Sequence, residues 1–503
     1  MTDITTFSGN RGLQLEEPLI FELGSPGRVG IDLPAALPVD EDRLTGLRRT
    51  APIGLPDLSE PQMVRHYTRL SQKNYGIDSG FYPLGSCTMK HNPRLSEKMA
   101  RLSGLADLHP FQPQQTVQGA LGVIDLLADW LKKLTGMAAV AMSPAAGAHG
   151  EWCGLMAIRA YHDDHGQSHR RRVLVPESAH GTNPATAALC GYSVDPVPAN
   201  EQGRVDVEAL KAKLGDDVAC IMVTNPNTCG LFESEILDIA RATHDAGALF
   251  YCDGANYNAI VGRVKIADLG VDAMHINLHK TFSTPHGGGG PGAGPTVLSD
   301  RLAKYVPLPF IVHGADGLHL VEHAAEVPDA QPFGRVKGYH GQFGVFIRAL
   351  AYILSMGGAG LRQSSSDAVL NANYLLASLK DVLTASFDGP CMHECLFDDR
   401  FLKDSGVTTL DFAKMLIDEG FHPMTMYFPL VVHGALLMEP TESESKETLD
   451  QFIQVVRTLA EKAQTGNAAE DFRAAPRLTP RRRLDETQAA RTPVLRWKSG
   501  RNA

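Results

Sequence analysis

A lysine, an aspartate and a run of glycines are the residues of this sequence whose types and spacing suggest chemistry. Lys280 follows the apolar stretch 274–278, and four consecutive glycines stand at 287–290. Asp253 lies upstream, at the end of the apolar run 249–252. A lysine amine can form a Schiff base with an aldehyde cofactor, and a carboxylate can pair with a protonated pyridine nitrogen. This combination predicts pyridoxal phosphate (PLP) held by Lys280 and Asp253.

A second segment, 143–151, suits the phosphate of such a cofactor. It places the small residues Ala146, Gly147 and Ala148 between a predicted strand and a predicted helix. Small residues let backbone N–H groups approach a phosphate, and the N-terminus of a helix favours an anion. Many turns of parallel sheets share this composition, so the segment supports a phosphate site only together with the lysine and the aspartate.

Each candidate residue also has an ordinary structural interpretation. Asp253 precedes a glycine and suits a turn, and a lysine at a strand end is usually exposed. His180 fits the capping of a loop as well as it fits stacking on the cofactor ring. Thr228 could reach the cofactor's phenolic oxygen or the substrate, or it could belong to a simple Asn-Pro turn. The presence of Lys280 together with Asp253 favours the functional interpretation.

The elements that must position these residues form an α/β pattern. Continuous apolar strands between helices predict a mostly parallel sheet covered on both faces. Such a sheet binds ligands at the carboxyl ends of its strands, and the candidate residues all follow predicted strands. The predicted strands are 139–142, 173–176, 220–224, 249–252 and 274–278, with helices at 151–161, after 184 and at 235–246.

Composition shifts along the chain predict four parts. Residues 1–60 are rich in proline, glycine and charge, which indicates an extended arm that packs on something, with a disordered tail as the alternative. Residues 61–340 hold the predicted cofactor-binding domain, and 341–475 hold a smaller C-terminal α+β domain. In this smaller domain the pattern predicts helices at 342–355 and 368–383 and a strand at 427–432. The tail 476–503 has little core of its own.

The bulk properties exclude several classes of protein. The net charge is −10 and the pI is near 6.0, so nothing points to nucleic acid. Eight cysteines without a CxxC pair predict reduced thiols in the cytoplasm. The sequence shows no secretory signal, and no apolar run approaches the length of a membrane span.

Two clusters resemble metal sites, and both are better explained without a metal. His162 to His165 lie in a polar segment that suits a solvated helix end. Cys391 and Cys395, with His393 between them, lack a second pair of ligands. We therefore predict no metal.

Taken together, the motifs resemble the glycine decarboxylase P-protein family of the glycine cleavage system, over about residues 60–475. The chain resembles the lysine-bearing C-terminal half of that protein, which some members carry as a separate subunit 2. The matching segments are FYPLGSCTMKHNPR (81–94), AAGAHGE (145–151), ESAHGTNPATA (177–187), TNPNTCGLFE (224–233), YCDGAN (251–256), NLHKTFSTPHGGGGPGAGP (277–295), FPLVV (428–432) and EPTESE (439–444).

The resemblance implies a fold type I PLP enzyme and assigns roles by position. Lys280 would be the cofactor lysine, Asp253 the partner of the ring nitrogen and His180 the stacking residue. The remaining cofactor contacts would come from Ala146, Gly147, Ala148, Thr228, Ala255, Thr281 and Ser283.

The resemblance also implies the reaction and the partners. Glycine would lose CO2, and its aminomethyl group would pass to the lipoyl group of H-protein, with His279 and Lys280 as candidate proton carriers. A subunit 1 is implied, with two copies of each subunit. The alternatives are another fold type I enzyme, such as an aminotransferase, a cysteine desulfurase or an independent amino-acid decarboxylase, and a non-catalytic scaffold subunit.

Overall fold

A computed structural model describes residues 16–38, 43, 46–286 and 292–497. The chain divides into two compact units, one formed by Phe81–Arg473 and the other by Met1–Gly80 together with Ala474–Ala503. The glycines at 287–290 lie outside the described residues, as do the first part of the arm and the end of the tail. The helices are α1 (Glu60–Lys73), α2 (Arg94–Ala100), α3 (Ser103–Ala106), α4 (Gln118–Thr135), α5 (Gly147–Asp164), α6 (Thr182–Leu189), α7 (Val207–Lys213), α8 (Ile236–Asp245), α9 (Leu278–Thr281), α10 (Phe343–Leu379), α11 (Thr409–Asp418), α12 (Lys446–Gln464), α13 (Ala469–Ala474) and α14 (Glu486–Arg491).

A seven-stranded sheet forms the centre of the Phe81–Arg473 unit. Five consecutive strands run parallel, the next is antiparallel to both of its neighbours, and the edge strand beyond it runs in the same direction as the five. The strands are β1 (Ala139–Ala141), β2 (Arg172–Pro176), β3 (Ser193–Val197), β4 (Val218–Thr224), β5 (Leu249–Gly254), β6 (Ala273–Ile276) and β7 (Thr296–Leu298), and their order across the sheet is β1-β7-β6-β5-β4-β2-β3.

Burial on both faces explains why the central strands are apolar along their whole length. Every residue of β4, β5 and β6 is buried. One core cluster covers one face and includes Leu127, Ile221 and Phe250, while a second covers the other and includes Leu155 and Tyr251. The mostly parallel sheet predicted from the sequence is confirmed, with β7 as the reversed strand among the seven.

A second, smaller sheet lies in the C-terminal part of the same unit. Its neighbouring strands are all antiparallel, in the order β10-β11-β13-β12. A separate hairpin pairs two further strands earlier in the chain. The hairpin strands are β8 (Phe310–Gly314) and β9 (Gly317–Val321), and the small-sheet strands are β10 (Thr384–Ala385), β11 (Cys395–Asp398), β12 (Thr425–Met426) and β13 (Leu436–Met438).

The sequence predictions for single elements had mixed success. The predicted strands and helices between 139 and 278 are confirmed within a few residues. The short strands β3 and β7 were missed. The prediction of a strand at 427–432 is wrong, because β12 ends at Met426 and a turn with positive φ at Tyr427 follows.

The longest helix, α10, joins the two sheets in sequence. It combines the two helices predicted at 342–355 and 368–383, and Gly357, with φ 60° and ψ 178°, breaks its regular geometry. The helix is long and apolar enough to cross a membrane, but 44% of the 18-residue stretch that meets this criterion is buried inside the protein. Residues such as Phe346 and Ile353 belong to the large core cluster, so core packing explains the apolar character of this helix.

The second unit contains little regular structure among its described residues. Arg69 on α1 holds Glu17 through two hydrogen bonds of 2.6 and 2.7 Å, and Phe21 stacks on Trp497 with ring centroids 5.1 Å apart. Most large apolar side chains of 19–55 are exposed. The domain boundaries at 60, 340 and 475 remain predictions.

Fully buried polar groups tie the small sheet to the loop after Phe81. Glu439, just after β13, accepts hydrogen bonds from Thr88 Oγ1 at 2.6 Å and Asn258 Nδ2 at 3.1 Å. Glu394, just before β11, accepts one from the Ser86 backbone N–H at 2.7 Å. Burial raises the pKa of Glu439 to about 7 and holds that of Glu394 well above its usual range.

The raised pKa of Glu439 predicts a pH-dependent stability. The folded protein retains a proton on this carboxyl that the unfolded chain releases near pH 4.5, so this group lowers the free energy of unfolding as pH rises from 4.5 to about 7. The Glu439→Gln variant keeps the oxygen that Thr88 and Asn258 contact. Between pH 5 and pH 8 we expect its free energy of unfolding to fall by about 2 kcal/mol less than that of the unsubstituted protein. Denaturant unfolding at the two pH values measures this difference. The exposed Glu208→Gln is the control, and equal losses in Glu439→Gln and the unsubstituted protein would contradict the assignment.

Candidate active site

The register of neighbouring parallel strands brings the predicted aspartate and lysine together. Asp253 is the penultimate residue of β5 and lies opposite His275 of β6. After β6 the chain turns into the short helix α9, which carries Lys280. Because β5 and β6 are parallel, their carboxyl ends meet at one edge of the sheet, and both residues line one cavity there.

The strands approach so closely here that only glycine fits after the aspartate. A Cβ atom on Gly254 would lie 1.9 Å from the backbone oxygen of His275. The Asp-Gly pair, which alone would suggest a turn, is therefore part of the strand. This close contact fixes where Asp253 leaves the sheet.

Asp253 is a buried carboxylate that is stabilised by donors. Its side chain accepts hydrogen bonds from Asn183 Nδ2 and from the backbone N–H of Ala255, both at 2.9 Å. His275 Nε2 lies 3.5 Å from its Oδ1. Burial by itself would raise the pKa of Asp253, but His275, the two hydrogen bonds and the charge of Lys280 outweigh it and hold the pKa below its usual value. The carboxylate is thus available to a cationic partner.

The cavity that contains both residues has a volume of about 170 Å³. It lies where parallel α/β sheets bind ligands, outside the carboxyl ends of the strands. Its lining combines the end of β5, the start of α5, the loop before α6 and the loop after Phe81. The lining residues are Ser86, Gly147, Ala148, Glu151, His180, Thr182, Thr224, Thr228, Asp253, Ala255, Asn256, His275, Asn277 and Lys280.

Lys280 is held by the loop after Phe81. Its Nζ donates a 2.9 Å hydrogen bond to the backbone oxygen of Ser86. Ser86 has φ 64°, a left-handed conformation, and its own N–H is bound by the Glu394 carboxyl. The buried carboxyl thus helps to fix the carbonyl that orients the lysine amine.

The first turn of α5 offers a place for a phosphate. Gly147 and Ala148 line the cavity, and the first N–H groups of a helix have no acceptor within the helix. A Cβ atom on Gly147 would lie 2.6 Å from Asn277 Oδ1, so glycine lets this turn approach the cavity wall. The buried Thr224 hydroxyl, also in the lining, has no hydrogen-bond partner among the described residues.

These groups fit the predicted cofactor. An amine suits its aldehyde, a carboxylate suits its ring nitrogen, and a helix N-terminus suits its phosphate. The unpartnered Thr224 hydroxyl leaves a polar group in the lining for a bound molecule to satisfy. We therefore retain PLP as the proposed occupant of this cavity.

The structure brings together most of the predicted site residues. Lys280, Asp253, Gly147, Ala148 and Ala255 all line the cavity. His180 and Thr228, for which the sequence allowed two interpretations each, also line the cavity. Their side-chain contacts restrict the hydrogen bonds that they can make to a ligand.

His180 and Thr228 are already engaged by neighbouring groups. His180 Nδ1 lies 2.9 Å from Thr182 Oγ1, and burial lowers the pKa of this imidazole, so it is present as a neutral ring. The Thr228 hydroxyl donates its proton to the backbone oxygen of Ser178. It can therefore accept a hydrogen bond from a ligand more readily than it can donate one.

The other predicted residues do not line the cavity. Ala146 precedes the first turn of α5 as its N-cap. Ser283 donates to the backbone oxygen of His91, and the buried Thr281 hydroxyl has no partner among the described residues. His279 packs against His286, and burial lowers its pKa to about 3. A neutral imidazole in this position is a weak candidate for moving protons, so the role of His279 remains a prediction.

Several lining residues escaped the sequence analysis. Glu151 accepts hydrogen bonds from Thr182 and Thr186, and burial followed by the charge of Asp253 raises its pKa to about 7. His275 lies inside an apolar strand, where the hydrophobic pattern conceals a polar residue. Ser86 belongs to the 81–94 segment, whose composition was the available signal.

The two clusters that resembled metal sites have different explanations. His162 and His165 are bound to backbone carbonyls and a neighbouring glutamine. His393 and Glu394 meet Glu439, with ligand atoms that all lie within 4.8 Å of one another. The absence of a metal from this cluster stays a prediction.

Solved structures share this fold at low sequence identity. A glycine decarboxylase P-protein, determined in inhibitor-bound form, matches with a TM-score of 0.70 at 22% identity, over 83% of this chain and 94% of that one. A NifS-like protein matches with a TM-score of 0.58 at 14% identity, over 76% and 100% of the two chains. The fold is that of fold type I PLP-dependent transferases.

Family models match two parts of the chain. Residues 154–289 match the class-V aminotransferase model, which covers the strand that carries Asp253 and the short helix that carries Lys280 and places the chain among PLP-dependent families. Residues 364–476 match the model of the C-terminal domain of glycine dehydrogenase.

Relatives that match over nearly the whole chain show the family to which it belongs. A protein of Caulobacter vibrioides is 65% identical over 98% of this chain and 94% of its own length, and one of Thermococcus kodakarensis is 49% identical over 96% of both. Both are named "Probable glycine dehydrogenase (decarboxylating) subunit 2". The chain therefore belongs to the glycine dehydrogenase (decarboxylating) subunit 2 family.

Proposed function

We propose that this chain is the cofactor-bearing subunit of a glycine decarboxylase. In the proposed reaction, glycine loses CO2 and its aminomethyl group passes to the lipoyl group of an H-protein. The observation that carries the proposal is the meeting of Lys280 and Asp253 in one cavity of a chain that is 65% identical to a relative of that name. A scaffold subunit would have no need of a half-buried lysine and a buried carboxylate in the same cavity.

PLP is the proposed cofactor, and Lys280, Asp253, Gly147 and Ala148 would hold it. When bound, PLP supplies an electron-accepting ring that stabilises the electron pair left on the substrate as CO2 departs. Asp253 would keep a positive charge on the ring nitrogen, because a buried carboxylate favours a cation beside it. The first turn of α5 would hold the phosphate through backbone N–H groups.

The chain's own residues would organise the substrate end of the cavity. Lys280 would hold the cofactor through its amine, and the same Nζ would be the candidate carrier of a proton. His180 would present a neutral ring to the cofactor, and Thr228 would offer an acceptor oxygen. A tight arginine clamp on the glycine carboxylate would oppose its departure as CO2, so we expect this carboxylate to be held weakly.

The proposed partners follow from the relatives' name and from the reaction. The designation subunit 2 supports a subunit 1, and we propose an assembly with two copies of each in the cytoplasm. The lipoylated H-protein is the proposed acceptor of the aminomethyl group. Exchange of labelled bicarbonate into glycine, with both partners present, tests the whole proposal. An aminotransferase or a cysteine desulfurase would instead show amino transfer or sulfur release.

Replacing the lysine is expected to abolish the covalent attachment of the cofactor. For Lys280→Ala, assembled with subunit 1, we expect loss of the visible absorbance of lysine-bound PLP and a roughly 10²–10⁴-fold fall in bicarbonate exchange, because the amine that bonds and carries protons is gone. Spectroscopy and the exchange assay measure the two effects. Lys304→Ala is the control, since Lys304 pairs with Asp164 on the surface. Unchanged absorbance in Lys280→Ala would refute the assignment.

Removing the charge of Asp253 is expected to impair the reaction more than the binding of PLP. For Asp253→Asn we expect the rate of bicarbonate exchange to fall roughly 10²-fold or more. Losses of this size follow when one group that stabilises a developing charge is removed. The cofactor absorbance at saturating PLP would persist, because Lys280 is intact. Exchange at the unsubstituted rate would show that the carboxylate is not the partner of the ring nitrogen.

A further inference from the structure

A buried chain of polar groups extends from Asp253 into the centre of the sheet. Tyr251 OH lies 2.6 Å from Nδ1 of His275, and His275 Nε2 lies 3.5 Å from Asp253 Oδ1. All three side chains are at most 2% exposed. Of these three residues, only Asp253 is a proposed cofactor contact. The presence of Tyr251 and His275 beside it therefore needs a separate explanation.

Strand geometry accounts for the arrangement. Tyr251 and Asp253 are two residues apart on β5, and side chains at that spacing point to the same face of a sheet. His275 is the register partner of Asp253 on β6 and extends across the same face. The three residues therefore form a row whose order is fixed by backbone pairing.

The chemistry of the row determines which imidazole nitrogen carries the proton. Burial holds the pKa of Tyr251 well above its usual value, so its hydroxyl keeps its proton and can donate it. Burial also lowers the pKa of His275, so the ring is neutral and has one N–H. A hydroxyl that donates to Nδ1 places the N–H on Nε2, which faces the carboxylate.

The opposite tautomer would be unfavourable. It would direct the bare lone pair of Nε2 at the carboxylate. It would also leave the proton of a buried hydroxyl without an acceptor among the described residues, which costs about 1–3 kcal/mol. The hydroxyl of Tyr251 thus selects the tautomer that attracts Asp253.

We propose that Tyr251 and His275 are positioning residues for the cofactor: Tyr251 fixes the tautomer of His275, and His275 Nε2–H holds Asp253 as a carboxylate aimed at the ring nitrogen. This inference rests on the proposed function, because it needs PLP in the cavity. It extends that function by two residues, neither of which would touch the substrate.

A double-mutant cycle with Tyr251→Phe and His275→Gln tests the proposal on the full chain assembled with subunit 1. A glutamine amide has no tautomers, so it can donate to Asp253 without help from Tyr251. We expect Tyr251→Phe to weaken PLP binding to the apo-protein roughly three- to tenfold. We also expect it to shift the pH midpoint of the bound-cofactor absorbance by about half a unit or more. In the His275→Gln background, Tyr251→Phe should change neither quantity further.

Tyr257→Phe is the matched control. Tyr257 is fully buried like Tyr251, but its hydroxyl donates to the backbone oxygen of Leu134, away from Asp253. We expect this variant to change the thermal stability of the protein without moving the pH midpoint of the bound-cofactor absorbance. A midpoint unchanged by Tyr251→Phe, or moved equally in both backgrounds, would overturn the tautomer mechanism. Failure of the unsubstituted protein to bind PLP would instead refute the proposed function.

Discussion

The site depends on one constraint, which is that Asp253 must remain ionised although it is completely buried. Moving an unpaired carboxylate out of water costs many kcal/mol, and such a group normally takes up a proton. Here Asn183 and the N–H of Ala255 donate to it directly, while His275 faces it across the sheet. These groups come from α6, from the residues after β5 and from β6, so the charge requires the surrounding sheet to be assembled.

The same requirement explains the contrast among the buried carboxyl groups of this unit. Glu151, Glu394 and Glu439 lie close to the cavity, and burial raises the pKa of each. Asp253 alone among these four has its pKa lowered. Neighbouring carboxyl groups that retain their protons avoid repulsion with the one charge that is needed. The site thereby combines a fixed anion with carboxyl groups whose pKa values are about 7 for Glu151 and Glu439 and well above the usual range for Glu394.

The sequence revealed those parts of the site that obey a local rule. Lys280 and Asp253 were found because each follows an apolar strand, and the small residues at 146–148 because they precede a helix. Thr281 and Ser283 were predicted as cofactor contacts from the resemblance, yet their side chains lie outside the cavity lining. His275 and Glu151 were missed, since an apolar strand and a buried helix face show a hydrophobic pattern that conceals single polar residues. Glu439 was missed as a neighbour of Glu394 because only the pairing of β11 with β13 brings them together.

The loop that contains Ser86 shows why the small sheet belongs to the function as well as to the fold. Its conformation depends on a hydrogen bond from Thr425 to Gly85, on the bond from Thr88 to Glu439 and on that from Ser86 to Glu394. All three anchors come from the C-terminal part of the chain, whereas the lysine that the loop orients comes from α9. A displacement of the small sheet would therefore move the Ser86 carbonyl away from Lys280. Movement of this kind would release the amine, so the packing of the two sheets and the freedom of the lysine are physically coupled.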